Sequence, residues 1–168
     1  MTRKIGRFLH LSLWLAVGTY SQTKQVQTKQ ETKLTLHAAG PFDVKLAPQK
    51  PDNPQAEEAK LGRMSLDKEF HGDLKAFSKG EMISLMTEAK GSAVYVAIER
   101  VTGKLHGRTG SFALHHTGIM TRGEPELTIR VVPDSGSGEL TGITGSMTIK
   151  IEGKNHFYEF DYSLPDAK

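Results

Sequence analysis

A chain of 168 residues, 37% of them hydrophobic, suits one domain with its own core and leaves little room for a second. The absence of cysteine excludes a disulfide framework, a thiolate zinc site, a cysteine nucleophile and a lipid anchor on Cys. The net charge of +3 invites a nucleic-acid reading, but the excess sits in the first segments of the chain.

In those segments Arg3, Lys4 and Arg7 precede an apolar run from Phe8 to Val17, and the small residues Gly18, Thr19 and Ser21 follow. This is the order of a secretory signal, expected over residues 1–21. The run is interrupted by His10 and Ser12 and is too short to span a bilayer. The competing reading is a disordered or amphipathic extension of a cytoplasmic protein. Export to the periplasm or medium is expected if the segment is cleaved, and a cytoplasmic setting otherwise. Residues 22–35 repeat Thr-Lys-Gln and hold almost no large apolar side chain, so they are expected to be a disordered linker. Lys24, Lys29 and Lys33 there face only Glu31, which leaves the domain expected over 36–168 slightly acidic. Neither nucleic acid nor, for the mature form, a membrane is an expected partner.

Three prolines between Pro48 and Pro54 predict a surface loop. Beyond it, turn signals punctuate alternating segments and helical periodicity is absent. Eight strands are predicted, over 39–46, 61–70, 73–87, 92–101, 105–117, 125–132, 139–151 and 155–164. Tight connections at His71-Gly72, Thr102-Gly103-Lys104 and Glu152-Gly153-Lys154 make sequence neighbours pair antiparallel, as an up-and-down meander. Eight such strands can close around side chains or one small ligand, and closure removes exposed edges, so an all-β barrel is preferred to a sandwich. In the last strand His156, Tyr158, Phe160, Tyr162 and Leu164 alternate with Glu159, Asp161 and Ser163, and the aromatic face is expected to look inward.

The run from Gly91 to Gly103 (GSAVYVAIERVTG), that from Gly107 to Gly118 (GRTGSFALHHTG), Gly138 to Gly142 (GELTG) and Tyr158 to Tyr162 (YEFDY) closely resemble the bacterial family catalogued as domain of unknown function 3224. The resemblance covers roughly residues 38–165 and implies an eight-stranded barrel like that of allene oxide cyclase, a calycin-like form. It implies no established activity. The long N-terminal extension departs from many members, which begin almost at the barrel.

If Gly103 and Lys104 form the turn of the hairpin 92–117, Glu99 stands opposite Arg108 and Tyr95 opposite Phe112. One face then carries Tyr95, Ala97, Glu99, Arg108, Gly110, Phe112, Leu114 and His116, a mixture suited to a polar barrel pocket. Tyr95, Glu99, Arg108, Phe112 and His116 are the candidate ligand-binding residues. In the functional reading a desolvated Glu99 is a general base and His116 a proton shuttle. In the structural one Glu99 and Arg108 form a cross-strand ion pair and His116 is a hydrogen-bonded core histidine. The other face holds Val94, Val96 and Ile98 where an isolated barrel shows polar residues, so a loop or a second copy of the chain is expected to cover it.

His115 and His116 point to opposite faces and cannot chelate one ion, and no metal or cofactor is implied. The glycines at 136, 138, 142 and 145 lack the lysine and the helix of a phosphate loop and read as turns and bulges. Met64, Met82, Met86 and Met147 fall on inward positions, as core filling or as an adaptable cavity lining. Three functions follow in order of preference: binding of a small, partly apolar molecule in the barrel, an isomerase or cyclase using a polar pocket, or an oligomeric interaction module without a ligand.

Overall fold

The computed structural model describes residues 34–51 and 53–165, all within a compact unit spanning 32–168. The expected signal segment, and the expected linker up to residue 33, lie outside the described residues. Strand periodicity governs nearly every element: β1 (Leu36–Pro48), β2 (Gly62–Phe70), β3 (Leu74–Met86), β4 (Ala93–Leu105), β5 (Arg108–Thr121), β6 (Glu124–Val131), β7 (Ser137–Gly138), β8 (Thr144–Glu152) and β9 (Asn155–Ser163). The one helix among the described residues, α1 (Pro54–Glu58), follows the proline-rich loop. It starts because Asn53 accepts a hydrogen bond from the Ala56 N–H at 2.8 Å and Pro54 occupies its first turn.

Each strand pairs antiparallel with its neighbours, β1 with β9 and β4 with β5, so the sheet closes on itself as an up-and-down barrel of eight strands. The two-residue β7 lies outside this cycle, pairing with β5 at Gly110 and Ser111. The predicted strand 139–151 begins only at Thr144, because the chain from Val132 turns repeatedly through backbone hydrogen bonds before entering β8.

The two ends of the barrel are unlike each other. At the end where β4 passes into β5, Leu74, Leu105, Phe112 and Tyr162 are buried, and Leu140 and Ile143 of the turning segment join the same core, each 1% exposed. Phe112 stacks on Phe160, with ring centroids 5.6 Å apart. Buried hydroxyls there are satisfied: Tyr158 Oη accepts from the Leu74 N–H at 2.8 Å and donates to the His71 carbonyl at 2.9 Å. At the opposite end, inward-facing positions are open. Leu46 is 46%, Leu127 43% and Ile151 63% exposed, and Met64, Met82, Tyr95 and Ile149 are half-buried. Strand parity assigns all of these to the inner face, so the barrel is packed in one half and open in the other.

The outer surface carries the apolar residues noted in β4. Val94, Val96 and Ile98 are exposed, beside Ile83 of β3 and Ile119 of β5. No described segment covers them.

Candidate functional site

Four successive strands each place one polar side chain at the level where the packed half gives way to the open one: Lys68 on β2, Ser78 on β3, Glu99 on β4 and His116 on β5. All four are buried, at 6, 2, 1 and 4% exposure. Lys68 stands directly across the ladder from Ser78, and the stagger of the barrel carries Glu99 and His116 to the same height. Glu99 is the hub. Its Oε1 accepts from Lys68 Nζ at 2.6 Å and from His116 Nε2 at 2.8 Å, while its Oε2 accepts from the Ser78 hydroxyl. The Lys68 ammonium also lies over the rings of Phe42 and Phe70, 5.4 and 5.6 Å from their centroids.

Burial opposes the charge on Glu99. The hydrogen bond from His116, the charge and hydrogen bond of Lys68 and the Ser78 hydroxyl outweigh it, and the carboxyl falls to about 2 from an ordinary 4.5. An ionised carboxylate only accepts, so Nε2 of His116 carries the proton of that bond. Among the described residues Nδ1 of His116 has no hydrogen-bond partner, and it is not fully sealed from solvent. Tyr95 lies towards the open end on the adjacent strand, with its ring laid over Gly118, where a Cβ would come within 2.1 Å of it. Burial and the charge of Glu99 both raise its phenol above the ordinary tyrosine value.

Of the candidate residues, Tyr95, Glu99 and His116 are brought together, while Arg108 and Phe112 are not. Arg108 is exposed at the packed end, where it opposes Leu105, and Phe112 is core. The reason is the hairpin turn. It falls at His106-Gly107, both with positive φ (45° and 82°), so Glu99 faces Leu114 and Tyr95 faces Gly118. Gly103 is a strand residue instead, since a Cβ there would meet the Lys75 carbonyl at 2.3 Å. The turn thus lies three residues further along the chain than the sequence reading had it, which moves every partner by six residues, an even shift that preserves the face and changes every pairing. The ion-pair partner of Glu99 is Lys68, not Arg108.

Lys68 and Ser78 escape the sequence reading, although Lys68 carries a signal: it sits between Leu66 and Phe70 at inward parity in β2. Chemically the cluster holds its charge rather than exchanging it. A carboxylate at about 2 with three donors on it is a weak base near neutral pH, which leaves the general-base role of Glu99 without support from the geometry. No group of three or more potential metal ligands occurs among the described residues.

Comparison with known proteins agrees with this architecture. No curated protein matches the chain. A crystal structure of a protein of unknown function from the DUF3224 family of Shewanella oneidensis MR-1 is 54% identical, covers 80% of this chain and 100% of its own, and superposes with a TM-score of 0.73. The family model described as "Protein of unknown function (DUF3224)" matches residues 38–162, which reach into every strand of the barrel, and the chain belongs to that family.

Proposed function

We propose that the protein binds a small, partly apolar molecule in the open half of its barrel. The observation that carries this reading is the contrast between the two ends. Leu46, Met64, Met82, Leu127 and Ile149 present an apolar lining that is half-buried or exposed at one end, while Leu140 and Ile143 plug the other. The Lys68–Glu99–His116–Ser78 cluster supplies a few polar groups beneath that lining, already hydrogen-bonded and therefore rigid. The test is a fluorescence titration with the neutral apolar probe N-phenyl-1-naphthylamine. The expected result is saturable enhancement at one probe per chain, abolished by Leu127→Glu and retained by Ile98→Glu. Enhancement that is absent, or that responds only to Ile98→Glu, contradicts the proposal.

The outer apolar face supports a second reading, association of the chain with a copy of itself. Ile83, Val96 and Ile98 are 47, 51 and 65% exposed and contiguous across β3 and β4, and an apolar patch of a few hundred Å² on a monomer commonly marks a contact surface. These residues lie on a face of the sheet, so two copies would meet through that face, in the self-complementary manner of two-fold dimers. Sedimentation velocity over a range of concentrations is expected to show an associating species that Val96→Glu and Ile98→Glu together remove. A monomer at every concentration contradicts this reading.

A further inference from the structure

We infer that the molecule bound in the open half presents a neutral hydroxyl, as an alcohol or a phenol, to Nδ1 of His116 and the phenol of Tyr95. This inference rests on the interior-binding reading and names the chemistry of its ligand. His116 is 4% exposed and its Nε2–H is committed to Glu99, so in the neutral imidazole the unpartnered atom, Nδ1, carries a lone pair. A lone pair on a rigid, buried ring selects a donor. The Tyr95 hydroxyl makes no hydrogen bond among the described residues and stands on the next strand, diagonal to His116 across the ladder, with its ring fixed over Gly118. It can donate to a ligand oxygen. A hydroxyl answers both groups at once, giving its proton to Nδ1 and accepting from Tyr95.

A carboxylate fits the same place poorly. With the imidazole neutral, the charges of Lys68 and Glu99 cancel within the cluster, and an anionic head would face the Nδ1 lone pair close to the Glu99 carboxylate. An ether or ketone uses Tyr95 alone and leaves Nδ1 unanswered. Of the other inner side chains of the open half, Met64, Met82, Leu127 and Ile149 offer apolar contact, which suits a hydrocarbon or aromatic body, while Ser84 across the ladder from Tyr95 and His156 across from Ile151 are polar.

The test uses three probes with one body, 4-bromophenol, 4-bromoanisole and 4-bromobenzoate, titrated calorimetrically into the full protein at neutral pH. The phenol is expected to bind about tenfold more tightly than the anisole, the effect of one added neutral hydrogen bond, and more tightly still than the benzoate. Tyr95→Phe is expected to weaken the phenol about fivefold, and His116→Phe to erase the difference between phenol and anisole while apolar binding persists. Equal affinity for phenol and anisole, or a benzoate that binds as tightly as the phenol, overturns the inference and leaves interior binding standing. If none of the three binds, the interior-binding reading fails and this inference with it. The ranking of probes on the unaltered protein decides the matter even where His116→Phe fails to fold.

Discussion

Lys68→Met is the substitution to which the interior is most sensitive, because it leaves the Glu99 carboxylate buried without its cation. Breaking a buried pair in this way costs about 3–5 kcal/mol, whereas removing both charges is far milder. Urea denaturation is therefore expected to show a large loss for Lys68→Met and recovery of stability when Glu99→Gln is added. A further loss in the double variant contradicts the account. The same carboxylate sets an acid limit. Its folded value lies below its ordinary one, so the unfolded chain takes up that proton more readily, and the stabilisation from Glu99 is complete above pH 4.5 and disappears as pH falls towards about 2. Stability measured across that window is expected to decline steeply in the native protein and less in Glu99→Gln. At this scale the sequence was half legible. A carboxylate and an imidazole on the inner face of β4 and β5 follow from alternation, and Lys68 follows from the same rule in β2. Ser78 does not, because a serine among Ala76, Gly80 and Met82 gives no chemical contrast before its neighbours are known.

The hairpin of β4 and β5 shows how an element is read correctly in one respect and wrongly in another. Two glycine-containing turns compete there, Gly103-Lys104 and His106-Gly107, and strand alternation cannot separate them because both keep the same residues inside. What separates them is tertiary: the backbone of β3 approaches Gly103 too closely for any side chain. Double-cysteine variants test the register directly. Val96→Cys with Thr117→Cys places two thiols across the ladder and is expected to form a disulfide in mild oxidant. Val96→Cys with Ser111→Cys, the pair implied by a turn at Gly103, is expected to remain reduced. The opposite pattern contradicts the register, and with it the meeting of Glu99 and His116.

For the molecule as a whole, the count and antiparallel order of the barrel strands were legible because each strand alternates and turn residues divide them. The unequal filling of the two halves was not. It depends on Leu140 and Ile143, which the sequence assigns to a strand and the structure uses as a plug. The same assignment hides the open end, where inward residues such as Leu127 and Ile151 look like ordinary core positions. Anomalous diffraction from crystals soaked in 4-bromophenol shows whether that opening takes a ligand. The expected result is a bromine peak inside the barrel among Met64, Met82, Leu127 and Ile149, with the phenol oxygen towards His116. A peak confined to the outer face at Val96 and Ile98, or an open half found collapsed and filled by its own side chains, would contradict it.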